Sequence, residues 1–353
     1  MNLKERINAF DLLSANIMAF LNNELTSIDN KLKQDFDNFE NLTNQIQIQN
    51  GWFIRLFVYS QLKAICDYTK TSKLEEWITK YAVSEEDTDK CVGVVMAGNI
   101  PFVGFHDFLC VLLAGHNIKI KLSSKDNILP KFVSKILCTI EPRFETKIQF
   151  VDDKLTDYDA IIATGSNNSA RYFEQYFSTV PHIIRKNRSS VAVLDGNETK
   201  QELLGLADDI LLYFGLGCRN VSKIFIPKNY QLNNIFEAVY KYFYFANHNK
   251  YCNNYDYNRA VYLINNQKFF ENGFFIIIEN TKISSPISVL HYQEYEDINF
   301  VQQNLQANEQ FIQTVVSRKK IFDRHSSFGK AQFPKLDDYD DGVDTMEFLI
   351  KLN

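Results

Sequence analysis

An α/β protein built on parallel sheets, with a helical N-terminal region, is predicted by three observations. Short apolar runs alternate with helical stretches from about residue 92 onward. Loops rich in small and hydroxyl-bearing residues follow several of those runs. Helical spacing without strand-like runs fills residues 3 to about 82, with Ile7, Phe10, Leu13, Ile17, Phe20 and Leu21 on one periodic face. Strands alternating with helices imply βαβ units and a parallel sheet covered on both faces.

The elements follow in order. Val92–Gly98 is a short apolar run suited to a buried parallel strand. Phe102–Ala114 reads as a helix that Gly115 can end. Asn117–Lys121 is the next strand, Leu129–Ile140 a further helix, and Lys147–Val151 and Ala160–Ala163 are strands. A second α/β segment starts near Ser190 with Val191–Leu194 as a strand, then a helix over Leu203–Phe214 and a strand over Ser222–Ile226. Phe274–Ile278 is one more strand. The predicted organisation is a helical region over 1–85, a first α/β domain over 86–189, a second α/β domain over 190–325, and a tail over 326–353 that packs back on the body.

Composition narrows the class. The chain has 353 residues, 45% hydrophobic and 23% charged, with a net charge of −5. That is enough apolar material for one large or two medium cores, and the acidic balance argues against a nucleic-acid footprint. Six cysteines at 66, 91, 110, 138, 218 and 252 form no CxxC pair. Such usage fits a reducing cytoplasm rather than a disulfide scaffold or a zinc site, so no metal is expected. The charged N-terminus lacks a signal-peptide core, and no apolar run is long enough to predict a membrane span. The acidic run Asp337–Gly342 is not a calcium loop, because Tyr339 and Phe348 would fall at its third and twelfth positions.

A doubly wound sheet binds ligands where strand carboxyl ends meet helix N-termini. The loops placed there are Ala97-Gly-Asn-Ile-Pro101, Leu122-Ser-Ser-Lys-Asp126 and Thr164-Gly-Ser-Asn-Asn168. They leave room for a nucleotide and offer donors to phosphate, although no G-x-G-x-x-G occurs. Cys218 lies in Tyr213-Phe-Gly-Leu-Gly-Cys-Arg-Asn220, on a turn between a helix and a strand. Nearby backbone N–H groups and the cationic Arg219 favour its thiolate, the nucleophilic form.

Read in order, these segments resemble the aldehyde dehydrogenase superfamily and its LuxC-like acyl-CoA reductase branch. Gly98-Asn-Ile-Pro-Phe102 and Ala114–Ser124 are similar to the superfamily's W-N-F-P and G-N-x-V-x-L-K-P-S segments, and Thr164-Gly-Ser166 to its T-G-S. Cys218 then falls at the nucleophile. Ile283-Ser-Ser-Pro-Ile287 resembles I-F-G-P-V, and Phe328–Pro334 with Tyr339–Thr345 resembles the LuxC-like end. Two departures stand out. Asp195 is out of register for the Glu that activates water in oxidising members, and Lys282 stands at or near the position of the ribose-binding Glu.

The resemblance implies an aldehyde dehydrogenase-like fold, with a Rossmann-type cofactor domain and a catalytic α/β domain. It implies reduction of a fatty acyl-CoA to the aldehyde through a Cys218 acyl-enzyme, with Asn99 as an oxyanion donor. Lys121, Ser123, Thr164, Gly165 and Ser166 are the implied cofactor contacts, and Lys119, Lys121 and Lys125 favour NADPH over NADH. An acyl-transferring partner protein and a homo-oligomer are implied in the same way. Two rivals keep the fold: a reductase of another activated acyl donor, such as an acyl phosphate gripped by Arg219 and Lys223, and a non-reducing acyl-transfer or assembly subunit.

Overall fold

The computed structural model describes residues 1–352. The chain divides into two compact units, residues 1–186 with 335–353, and residues 187–334.

The first unit opens with five helices: α1 (Leu3–Leu21), α2 (Lys33–Asp37), α3 (Phe39–Gln49), α4 (Arg55–Tyr68) and α5 (Thr71–Ile78). Asn2 and Glu5 form a reciprocal capping box that starts α1, and its Ile7, Phe10, Leu13 and Ile17 are buried. The sheet follows, as β1 (Cys91–Val95), β2 (Asn117–Lys121), β3 (Ile148–Phe150), β4 (Ala160–Thr164) and β5 (His182–Arg185). All pairings are parallel, in the order β3-β2-β1-β4-β5. Helices α6 (Phe105–Leu113), α7 (Leu129–Ile140) and α8 (Asn167–Tyr176) supply the crossovers. The strand order reverses between β1 and β4, so the loops after those strands flank the crevice where such sheets take ligands.

The tail joins this unit through α13 (Thr345–Ile350). Buried Arg185 pairs with Asp107 and donates to the Thr345 hydroxyl. The Trp77 indole donates to Tyr339, and Tyr81 donates to Asp344. The acidic run near the tail therefore has partners in the fold, including Lys80 on Asp337.

The second unit holds β6 (Ser189–Val193), α9 (Lys200–Leu211), β7 (Val221–Pro227), α10 (Asn233–Val239), α11 (Asn249–Ile264), β8 (Phe270–Glu271), β9 (Ile276–Glu279), β10 (Val289–Tyr295), α12 (Ile298–Ala307), β11 (Ile312–Ser317) and β12 (His325–Ser326). Its sheet order is β12-β11-β6-β7-β10-β9-β8, parallel except for the antiparallel edge pair β8–β9. Val191, Val193, Phe225, Val301, Leu305, Ile312 and Val315 form one of its cores.

Asn117–Lys121 and Leu129–Ile140 match the expected elements to the residue. Two expectations need correction. The helix expected over Leu203–Phe214 ends at Leu211, because Tyr213 and Phe214 adopt left-handed backbone with φ of 55° and 57°. The helix expected from Phe102 starts at Phe105, because Phe102 itself has φ 42°. Non-glycine residues in that region are uncommon and mark places where tertiary contacts over-determine the backbone. Among the described residues, no helix is long and apolar enough to cross a membrane.

Candidate active site

The candidate residues form two groups, one in each unit. In the second unit, Cys218 occupies a turn between the left-handed bend at Tyr213–Gly215 and β7. The Asn220 N–H bonds the Gly217 carbonyl at 3.0 Å, placing Cys218 and Arg219 at the two central turn positions. Cys218 is half-buried and Arg219 is buried, so Arg219 does not face solvent. The Ser190 hydroxyl donates to the Cys218 carbonyl at 3.1 Å, and the Ser190 N–H to the Asn220 carbonyl. The turn is thus fastened to the amino ends of β6 and β7.

Asn220 is the clamp that sequence reasoning missed. Its Oδ1 accepts from the Gly217 N–H at 2.8 Å. Its Nδ2 donates toward the carbonyls of Asp209, Ile210 and Leu212 at 3.1, 3.3 and 2.9 Å. Those carbonyls belong to the last turn of α9 and the residue after it, where orphan acceptors need partners. The only signal in the sequence is an Asn closing a glycine-bracketed turn, a common residue there.

Burial holds the other five cysteines toward the thiol. It pushes the Cys66 thiol up to about 12 and that of Cys138 to about 11. Cys110 is raised well above the ordinary range, and Cys91 and Cys252 are also raised by burial. None of these five favours the thiolate.

Residues 281–285 run beside the start of β7. The Ser222 hydroxyl donates to the Ile283 carbonyl at 2.8 Å. Lys223, 1% exposed, donates to the Thr281 carbonyl at 2.7 Å and to Gln293 Oε1 at 2.8 Å. Burial pulls its ammonium down to about 8. His291 Nδ1 donates to the Lys282 carbonyl at 3.0 Å, which sets its tautomer. Lys282 itself is exposed. Asp195 pairs with Arg318 at 3.1 Å, at the start of α9's capping segment.

In the first unit, Asn99 is exposed in the loop after β1. It does not cap α6, whose N-cap is Gly104. Gly98 packs so closely that a Cβ there would stand 2.7 Å from Ser123 Oγ. Ser123 Oγ accepts from the Lys125 N–H. Lys121 ends β2 and donates to the Asp152 carbonyl, while Lys119 donates to the carbonyls of Thr156 and Asp157. Thr164 ends β4, and Ser166 caps α8 by accepting from the Ser169 N–H at 3.1 Å. A Cβ at Gly165 would meet Phe173 and Ser169 at 2.9 Å, so the loop needs glycine there. Asn99, Ser123, Gly165 and Ser166 therefore lie on three loops at the carboxyl end of one sheet, with Lys121 at the end of β2 and Thr164 at the end of β4.

Three histidines are tied to backbone carbonyls. His106 Nε2 meets the Leu336 carbonyl, His182 Nδ1 that of Val180, and His325 Nε2 that of Ser317. No cluster able to hold a metal occurs among the described residues.

Comparison with known proteins agrees with this architecture. The family model described as acyl-CoA reductase (LuxC) matches residues 16–325. No curated protein matches in sequence. Among solved structures, aldehyde dehydrogenase 21 from Physcomitrella patens, in complex with succinate, superposes with a TM-score of 0.68 at 11% identity, covering 100% of this chain and 84% of that one. An NAD+ complex of aldehyde dehydrogenase from Bacillus cereus gives 0.59 at 13%, covering 91% and 72%. The Mycobacterium tuberculosis aldehyde dehydrogenase with NAD+ gives 0.59 at 15%, covering 89% and 73%. The chain belongs to the LuxC acyl-CoA reductase family, oxidoreductases on the aldehyde dehydrogenase fold.

Proposed function

We propose that the protein reduces a fatty acyl-CoA thioester to the aldehyde through an acyl-enzyme on Cys218. The observation that carries this reading is the clamped turn. Cys218 sits half-buried on a turn fixed at Gly217, Ser190 and Asn220.

The Cys218 thiolate attacks the thioester carbonyl carbon, and the C–S bond to coenzyme A breaks. Coenzyme A leaves as its thiolate and takes a proton from solvent. The oxygen that carries negative charge during attack needs fixed donors: the Cys218 N–H is the candidate on its own turn, and the Asn99 amide is the donor that the resemblance implies. One such donor is worth roughly 3–4 kcal/mol. When bound, a nicotinamide cofactor, NADPH in this reading, would supply a hydride to the acyl carbon that Cys218 holds, giving a thiohemiacetal on its sulfur. Collapse of that species releases aldehyde and restores the Cys218 thiolate.

The first unit's loops suit a nucleotide by their donor set. The hydroxyls of Ser123, Thr164 and Ser166 and the α8 N-terminus offer donors to phosphate oxygens. Lys121 spends one donor on Asp152 and keeps others for a ribose or its 2′-phosphate. Asp195 is held by Arg318, and the Glu that would activate water is missing at its place, which suits reduction rather than hydrolysis. The acyl-phosphate alternative is less favoured, because Lys223, one of the two residues of its phosphate grip, is buried and committed to Thr281 and Gln293.

The test is NADPH oxidation with a long-chain acyl-CoA, comparing wild type with Cys218→Ala. Aldehyde from wild type and none from the variant supports the reading. Equal turnover by the variant removes Cys218 from the mechanism.

A further inference from the structure

Asn99 stands in a loop whose two flanks are fastened to the loop after the neighbouring strand. The loops leave β1 and β2, which pair in parallel to Val95 and Lys121, and the Met96 N–H continues the ladder onto the Lys121 carbonyl. On one side of Asn99, Gly98 lies against Ser123 so closely that no Cβ fits without a shift. On the other side, the Phe102 N–H donates to Asp126 Oδ2 at 2.6 Å. Asp126 is 4% exposed, and its other oxygen, Oδ1, is buried without a hydrogen-bond partner among the described residues.

That arrangement is costly and specific. A buried carboxyl with one unused oxygen is disfavoured unless its position is needed, since each unsatisfied polar group costs roughly 1–3 kcal/mol. Phe102 is the residue that pays in backbone terms, with φ 42°. Its carbonyl accepts from the Phe105 N–H, and its ring packs on Phe105 and Phe108. The Asp126 loop is itself anchored, by Asn50 on the Lys125 carbonyl and Gln49 on that of Ser124. Asp126 therefore ties the strained end of the Asn99 loop to a fixed post. Burial also pushes its carboxyl up to about 7.

We infer that Asp126 is a positioning residue for the reaction, holding the Asn99 loop through the Phe102 N–H so that the Asn99 amide keeps one fixed orientation. The inference rests on the acyl-CoA reading above, in which Asn99 is an oxyanion donor. Neither Asp126 nor Phe102 touches substrate in this account.

The experiment follows coenzyme A release in a single turnover of the full-length enzyme with acyl-CoA and no nicotinamide cofactor, which isolates acylation. Asp126→Asn and Asp126→Ala are made alone and with Asn99→Ala. Removing an oxyanion donor costs about 10²–10³-fold, so losing its support through Asp126→Ala should slow release by about tenfold or more. Asp126→Asn keeps an acceptor for Phe102 and should stay within about threefold. With Asn99→Ala present, Asp126→Ala should add little, because the two residues act through one donor. Gly98→Ala disturbs the opposite flank and should show the same dependence on Asn99, which keeps the test open should Asp126→Ala not fold.

Independent, multiplying effects of Asp126 and Asn99 would overturn the inference alone, as would an Asn variant as slow as the Ala variant. Asn99→Ala acylating at the wild-type rate would remove the oxyanion role and this inference with it. Wild type releasing no coenzyme A would bring down the acyl-CoA reading itself.

Discussion

Replacing Asn220 with Ala strips the turn that carries Cys218 of its clamp, and the structure sets the size of the effect. Asn220 is 3% exposed and serves four backbone groups: the Gly217 N–H and the carbonyls of Asp209, Ile210 and Leu212. Its two amide hydrogens are shared among three carbonyls, so the side chain supplies about three full hydrogen bonds. At roughly 0.5–1.5 kcal/mol each, with a further penalty for groups left dry, the loss is about 2–4 kcal/mol. Asn220→Asp separates the two halves of the clamp. It keeps the acceptor for Gly217 but turns a carboxylate toward three carbonyl oxygens, so it should be at least as damaging as Ala.

Urea unfolding gives the readout. Both tryptophans, Trp52 and Trp77, lie in the first unit, so their fluorescence follows that unit while far-UV circular dichroism follows both. The two units need not unfold together, and the two signals separate them. The expected result is a lower midpoint for the dichroism component that fluorescence does not report, with slower acylation of Cys218 under native conditions. A loss below about 0.5 kcal/mol, with Asp tolerated as well as Asn, would refute the clamp.

Two other substitutions test buried charge. Asp209 accepts from the N–H groups of Gly329 and Ala331 at 2.6 and 3.0 Å, and burial pushes its carboxyl up to about 7. Between about pH 4 and 7 the folded protein keeps a proton that the unfolded chain has lost, so this group's contribution to stability falls as pH rises through that window. Asp209→Asn lacks this term, so from pH 5 to 8 its stability relative to wild type should improve by about 2–3 kcal/mol, whatever its constant offset. A pH-independent difference in urea titrations would contradict the shift. In the first unit, Arg185→Met leaves the buried Asp107 carboxylate uncompensated and should cost about 3–5 kcal/mol by tryptophan fluorescence. Adding Asp107→Leu should recover most of that loss, and a double variant no better than the single one would place the energy elsewhere.

The parts of the fold that were legible in sequence are those with local causes. Asn117–Lys121 and Leu129–Ile140 announce themselves by period and by Gly115 and Pro130 at their boundaries. The loops carrying Asn99, Ser123 and Thr164–Ser166 were legible because small residues follow apolar runs. What escaped depends on distant backbone. Tyr213 and Phe214 have no sequence mark of left-handed geometry. The packing of the Phe214 ring, 4.3 Å from Phe245 and 4.4 Å from His248 between centroids, is made by residues far along the chain. Asp126, Asp209 and Asn220 look like ordinary surface polar residues, and only the tertiary fold shows that each is buried against backbone groups. Lys223 likewise reads as half of a phosphate grip until β10 brings Gln293 beside it.

The most direct measurement is the intact mass of the protein after incubation with acyl-CoA in the absence of nicotinamide cofactor, with peptide mapping, followed by a chase with NADPH. The expected result is an added acyl group on Cys218 alone, chased to aldehyde with one NADPH oxidised per acyl group lost. An acyl group on another residue, or an adduct on Cys218 released only as the fatty acid, would contradict it.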